Sequence, residues 1–386
     1  MQARFNHKIE AIAVSDIRQF DMEVSQIEGI IKLTLGEPDF NTPEHVKQAA
    51  IAAINADQSH YTPNSGIMEL RRAAAEYYKE KYALDHTPEQ IITTVGATEA
   101  IAASLQTILN PGDTVLMPTP VFPIYAPISQ LNGADVLQVD TSADGFILTP
   151  EKLRATLEAN KDKNIKAVVL VYPSNPTGAT YTKEQLVALA KVIAEYDIWA
   201  LCDEVYAELT YEGQHVSLAS FLPENTIVIS GLSKSHAMTG WRLGFILGPK
   251  DFSEQVVKVH QYMVTAPTTN VQFAALEALT KGKDDALSMR KEYQARRDFM
   301  RQALADAGFE VVKPDGAFYL FAKIPAKCGH DSWKFVRELA KKAKVALIPG
   351  VSFGQGGEGY VRLSYAASMD DLRQASERIK KFTDNY

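Results

Sequence analysis

Between about residue 87 and residue 247 the chain alternates short β-branched apolar runs with stretches of helical periodicity. The runs fall at 91–95, 114–117, 167–172, 199–203, 226–230 and 243–247, and helical patterns occupy 98–109 and 183–196 between them. Strands that are apolar throughout, rather than at every second residue, must be covered on both faces, and intervening helices provide that cover. The pattern therefore predicts an α/β fold with a mostly parallel sheet between helices. Ligands of such sheets gather at the carboxyl ends of the strands, where the loops meet.

The last hundred residues read differently. A charged helical stretch at 284–307 is followed by strands near 309–312 and 317–321, a helix at 332–343, strands at 346–349 and 360–365, and a final helix from 369. This grouping suggests a smaller α+β domain. A helical pattern across 8–27 joins it from the N-terminal side. With 386 residues, about 2.6 times a common domain length, two domains are expected. The expected division is 45–283 for a large domain, and 1–44 with 284–386 for a small one.

Composition narrows the function classes. Apolar residues make up 46 % and charged residues 23 %, which excludes a disordered or collagen-like chain. The net charge of −7 is spread along the chain and argues against a general binder of nucleic acid or anionic membranes. Cys202 and Cys328 form neither a disulfide framework nor a zinc site. Cys202, in the run Trp199-Ala200-Leu201-Cys202, reads as a small buried hydrophobe. The first eight residues lack the apolar stretch of a signal peptide, and no apolar run approaches the ~20 residues of a membrane span. A cytoplasmic location is expected.

Gly354-Gln355-Gly356-Gly357-Glu358-Gly359 matches the glycine pattern of dinucleotide-binding turns, but a strand-like run follows it where that motif needs a helix, so it reads as a loop. The informative segment runs from Ser230 to Gly244. Lys234 lies just past a strand-like run among hydroxyls and glycines, with Arg242 eight residues on and no acidic residue between Ser230 and Gly248. A lone loop lysine is ordinarily a solvated surface charge. Hydroxyls and small residues around a base also suit a phosphate ester, and a lysine there can form an imine with the aldehyde of pyridoxal phosphate. Asp203 ends the run 198–203, with Tyr206 after it. A carboxylate in that position needs a partner, either an ordinary arginine or helix N-terminus, or the protonated pyridine nitrogen of such a cofactor. Ser174-Asn175-Pro176-Thr177-Gly178 follows another strand and is a turn by composition, whose Asn175 can also meet a ligand oxygen. Gly96-Ala97-Thr98 joins the run 91–95 to a helix, either as an anion cradle or as a start capped by Thr98.

Together these segments resemble the class I/II aminotransferases of the fold-type-I pyridoxal-phosphate enzymes. The likeness runs from Leu35-Gly36-Glu37-Pro38-Asp39-Phe40 to Tyr360-Val361-Arg362-Leu363-Ser364-Tyr365, and its most specific pieces are 174–178, Asp203-Glu204-Val205-Tyr206 and 233–244. Within the family the chain is most similar to bacterial aromatic amino acid aminotransferases and to N-acetyl-diaminopimelate aminotransferases.

The resemblance implies a large domain with a seven-stranded type of sheet and pyridoxal 5'-phosphate as cofactor. It implies Lys234 as the imine-forming lysine, Asp203 as partner of the ring nitrogen, Tyr206 and Asn175 at the ring oxygen, and Phe122 stacked on the ring. Gly96, Ala97, Thr98, Ser233 and Arg242, with Ser230, would hold the phosphate. Arg362 would grip the substrate carboxylate, a task that suits its planar fork, and Gly36 would let substrate approach the backbone. Tyr61 would reach the phosphate of a neighbouring subunit, making the enzyme a homodimer. The implied reaction moves an amino group from an amino acid, aromatic in the leading reading, to a 2-oxo acid such as 2-oxoglutarate. N-acetyl-diaminopimelate and aspartate-type donors, a C–S β-lyase and a non-catalytic regulatory module are the alternatives. Ile17, Phe20, Phe40 and Tyr125 are candidate walls of an aromatic pocket, and Arg18 or Lys32 candidate partners of an acidic substrate.

Overall fold

The computed structural model describes residues 5–10 and 12–386; residues 1–4 of the N-terminal reading and residue 11 of the expected first helix lie outside them. The central sheet has seven strands in the order Ile91–Thr94, Gly244–Leu247, Thr226–Gly231, Trp199–Asp203, Asn164–Val171, Asp113–Thr119 and Asp135–Asp140. All pairings are parallel except those of Gly244–Leu247, which runs against both its neighbours. The strands of the sheet centre are buried along nearly their whole length, which is why they read as continuous apolar runs. Helices Gly96–Ile108 and Lys250–Val264 cover one face, and Pro150–Ala159 and Lys183–Glu195 cover the other.

A second, antiparallel sheet orders Ile348–Pro349, Tyr360–Ser364, Tyr319–Lys323 and Glu310–Val311. Beside it Ile31–Lys32 pairs in parallel with Val345–Ala346, which brings the N-terminal segment to the C-terminal third of the chain. One apolar cluster, including Phe20, Leu33, Tyr293, Phe321 and Leu372, joins these parts.

Two expectations need correction. The helical pattern across 8–27 is two helices, His7–Glu10 and Asp16–Val24. The second start is set from outside: the Asp16 carboxylate accepts from Ile17 N at 2.7 Å and from Ser352 Oγ, far along the chain, at 2.6 Å. The strand Asp135–Asp140 was not expected, because an edge strand with acidic ends and one well-buried residue lacks an apolar run. The glycine-rich segment at 354–359 follows a 3₁₀ turn, Gly350–Phe353, and precedes the strand Tyr360–Ser364. It opens no helix. Cys202 and Cys328 are both buried and unpaired. Among the described residues no helix is long and apolar enough to cross a membrane.

Phe321 shows how the second sheet is held. It is fully buried, stacks on Tyr360 at a centroid distance of 5.0 Å, and meets Phe146 and Phe353 edge-on. Phe321→Ala should cost about 3–5 kcal/mol, the usual loss for a buried phenylalanine that leaves a cavity. Urea unfolding monitored by circular dichroism measures it, and a loss below about 1 kcal/mol would mean that the stack collapses without strain.

Candidate active site

The residues singled out from sequence collect at one end of the central sheet. Asp203 is the last residue of Trp199–Asp203, and Lys234 lies just beyond Thr226–Gly231. Asn175 follows Asn164–Val171, Phe122 follows Asp113–Thr119, and Gly96 follows Ile91–Thr94. Those strands point the same way, so their carboxyl ends share an edge.

Lys234 Nζ donates to the Gly36 carbonyl at 2.5 Å and lies 5.8 Å from the ring centroids of both Tyr206 and Phe318. Burial lowers its pKa to about 8, against the pull of Glu37 and Asp203 and with a push from Arg242 and Arg362. Asp203 is buried, and its carboxyl is pushed up to about 6, chiefly by burial. Its two donors are neutral: Tyr125 Oη at 2.6 Å and Val205 N at 3.2 Å. A buried carboxylate met only by neutral donors suits a cationic ring nitrogen, the first requirement of pyridoxal phosphate.

Arg362 comes from the other sheet. Its Nη1 donates to Asn175 Oδ1 at 2.9 Å and its Nη2 to the Thr34 carbonyl. Nε is buried without a partner, so the fork keeps a free donor for an acceptor such as a carboxylate. The guanidinium is sandwiched between Tyr319 and Phe353, at 4.6 and 4.9 Å from their ring centroids, and burial lowers its pKa. Tyr319 Oη is 2.6 Å from Tyr206 Oη. A Cβ on residue 36 would stand 1.8 Å from Tyr319 Oη, so only glycine fits beside that hydroxyl.

Gly96 opens the helix Gly96–Ile108 at φ +78°, and a Cβ there would lie 2.6 Å from Arg242 Nη2. The guanidinium of Arg242 thus rests against the helix start, next to amides that no side chain caps. Thr98 is exposed and does not cap the helix, so the plain capping alternative is not the arrangement found. Free N-terminal amides beside an arginine make an anion cradle, the second requirement of the cofactor. Ser233 is half-buried in the Lys234 loop, whereas Ser230 is buried on its strand and lines a small cavity with Tyr78 and Glu204. Phe122 packs half-buried on the sheet core. Tyr61 is 90 % exposed and takes no part in the cluster within its own chain.

The expected pocket walls are partly wrong. Ile17 and Phe20 are buried in the core of the second sheet, and Tyr125 holds Asp203. Phe40 packs edge-on against Tyr293 at 5.3 Å and under Arg296. Lys32 is taken up by Asp21 at 3.3 Å and by Ser25, and Arg18 is exposed. Sequence reasoning missed Tyr319, Phe353 and Thr34 altogether. No local motif marks them, because each acts through a contact made across the fold.

Comparison with known proteins completes the picture. The family model for aminotransferase class I and II matches residues 28–379. A probable N-acetyl-LL-diaminopimelate aminotransferase of Bacillus subtilis is 48 % identical over 99 % of this chain and 96 % of its own. Aromatic-amino-acid aminotransferase 2 of Thermococcus litoralis is 40 % identical over 97 % of each. The solved structure of aspartate aminotransferase from Thermus thermophilus with maleate superposes with a TM-score of 0.93 at 37 % identity, over 98 % of this chain and 99 % of that one. The chain belongs to the class I and II aminotransferases and is a pyridoxal-phosphate-dependent enzyme of fold type I that acts on amino and 2-oxo acids.

Proposed function

We propose that this aminotransferase takes its amino group from an aromatic amino acid and passes it to a 2-oxo acid such as 2-oxoglutarate. The observation that carries the donor class is the character of the groups beside the site. Leu35, next to Gly36, is 41 % exposed; Val351, two residues before Phe353, is 36 % exposed. Val14 is also exposed, and Asp16 two residues on is tied to Ser352. Two nearby cations are occupied: Lys32 by Asp21, and Arg296 by Asp39 and Glu292. Arg18 stays exposed and is the cation that a dicarboxylic donor would need, whereas the exposed apolar side chains suit an aromatic ring. The 40 % identical relative that bears an aromatic name supports the same reading.

In this reading each residue has a task. Arg362 binds the α-carboxylate with Asn175 beside it, and Gly36 leaves room for the substrate. Lys234, the imine-forming lysine, moves the proton of the substrate Cα with its Nζ. A pKa of about 8 leaves a useful share of that amine unprotonated near neutrality. Pyridoxal phosphate supplies the electron sink that makes a Cα proton removable. Asp203, held by Tyr125, would meet the ring nitrogen, and Tyr206 and Asn175 would meet the ring oxygen. Phe122 would stack on the ring. Gly96, Ala97, Thr98, Ser233 and Arg242 would hold the phosphate, whereas Ser230, expected among them, is buried beside Tyr78. Tyr61 serves the phosphate of a second copy, which makes the working form a homodimer. Residues 45–283 form the large cofactor-holding domain, and 1–44 with 284–386 the small one.

A second donor reading rests on the 48 % identical relative, whose name specifies N-acetyl-LL-diaminopimelate. The deciding measurement is kcat/KM for phenylalanine, aspartate and N-acetyl-LL-diaminopimelate at fixed 2-oxoglutarate. Phenylalanine should lead; a tenfold advantage for either rival, about 1.4 kcal/mol in the transition state, overturns the aromatic donor.

Four further outcomes test the chemistry. Lys234→Ala should abolish transamination, and Asp203→Asn should lower kcat by more than about tenfold, beyond what one neutral hydrogen bond of ~1 kcal/mol explains. In cofactor-free protein, acylation of Lys234 should rise with pH around a midpoint near 8, because only the free amine reacts. Asp203→Asn should move that midpoint down, since it removes an anion that favours the ammonium. Peptide mapping after acylation at several pH values reads both, and a midpoint near that of exposed lysines, about 10.4, would contradict the buried amine.

A further inference from the structure

One buried charged pair lies directly behind the helix that opens the anion cradle. His260, on Lys250–Val264, is fully buried. Its Nδ1 is 3.0 Å from Glu99 Oε1, and its Nε2 is 2.7 Å from the Asn64 carbonyl. The other oxygen of Glu99 accepts from Val95 N at 2.9 Å. The Asn64 carbonyl is an acceptor, and so is Glu99 as a carboxylate, so facing them each ring nitrogen of His260 carries a proton. With Glu99 ionised, that pattern makes the ring an imidazolium. Burial by itself would lower its pKa, but the hydrogen bond and charge of Glu99, with the Asn64 carbonyl, outweigh that and raise it.

Glu99 stands in the first turn of Gly96–Ile108 and closes the strand-to-helix turn through Val95. An uncompensated carboxylate there would occupy the positive end of the helix and repel an incoming phosphate. The repulsion would be strong, because water screens little inside the fold.

We propose that His260 is a positioning residue for the cofactor: its imidazolium neutralises Glu99, so that Glu99 can brace the turn without repelling the phosphate held on Gly96, Ala97 and Thr98. The proposal rests on the phosphate reading of that turn. It adds a residue on a separate helix, outside the segments 174–178, 203–206 and 233–244.

The test is the dissociation constant of pyridoxal phosphate, measured by absorbance titration of the full-length protein. His260→Gln keeps a donor but loses the charge, and should weaken binding by about tenfold; Glu99→Gln should stay within about twofold of wild type; the double variant should recover to within about threefold. Recovery is the outcome that a packing role does not produce. The proposal is overturned if His260→Gln binds as wild type, or if the double variant is as weak as His260→Gln alone. Arg242→Ala separates the two levels of argument. If it too binds as wild type, the cradle itself is misread; if it weakens binding while His260→Gln does not, only the role of His260 falls. Nitrogen-15 NMR of the wild-type protein gives a reading that depends on no variant's folding: both ring nitrogens of His260 should be protonated near neutral pH, and a neutral ring overturns the proposal.

Discussion

The guanidinium of Arg362 is where three distant parts of the chain are tied together. Its own strand belongs to the antiparallel sheet, Asn175 to a loop of the central sheet, and Thr34 to the N-terminal segment. The partners lie 187 and 328 positions away in sequence. A planar, permanently charged fork can hold two acceptors in fixed directions and still present a third donor, which an ammonium on a flexible stem cannot do. Tyr319 and Phe353 clamp its faces and leave it little freedom to turn. Lys234 is tied to the same segment, through the Gly36 carbonyl two residues from Thr34. The site is therefore a junction, and the packing of the second sheet sets the geometry of its chemistry.

The burial that makes the junction also sets the protonation of its groups. Asp203 sits at about 6 rather than the usual ~4 of an unfolded aspartate, because the fold disfavours its charge. The folded chain then binds a proton more tightly than the unfolded one between those values, so this group's contribution to stability falls as pH rises through that window. Tyr125 and Val205 moderate the effect without removing it. Lys234 moves the opposite way for the same reason. Two groups whose environments push their pKa values toward each other are suited to holding and moving protons near neutrality.

Glu99 and His260 show the other way of keeping a charge inside, by complete pairing. One carboxylate accepts a backbone amide and an imidazolium, and the imidazolium spends its second proton on a carbonyl. Asp203, in contrast, is met only by neutral donors. The same helix-and-sheet framework thus carries one carboxylate paired with a histidine and one met only by neutral donors.

Much of this was legible in the residues alone. The run at 199–203 and the pattern at 332–343 are the strand and the helix found, because continuous burial and amphipathic spacing are recorded in the order of side chains. Lys234, Asp203, Asn175 and Arg242 stand in short segments at or after strands, so local chemistry made them candidates, and the family resemblance gave them roles. The edge strand Asp135–Asp140 and the break before Asp16 left no such trace, since one depends on pairing and the other on a bond from Ser352. Tyr125 reaches Asp203 across 78 positions and Tyr319 reaches Tyr206 across 113. Sequence by itself determined most element types, the layered fold and which segments hold candidate reactive groups, because periodicity and residue chemistry are written in the order of side chains. Tertiary structure decided which neutral donors hold Asp203, what clamps Arg362 and how far the Lys234 amine is depressed. Those depend on burial and on contacts between segments whose distance in space the chain order does not encode.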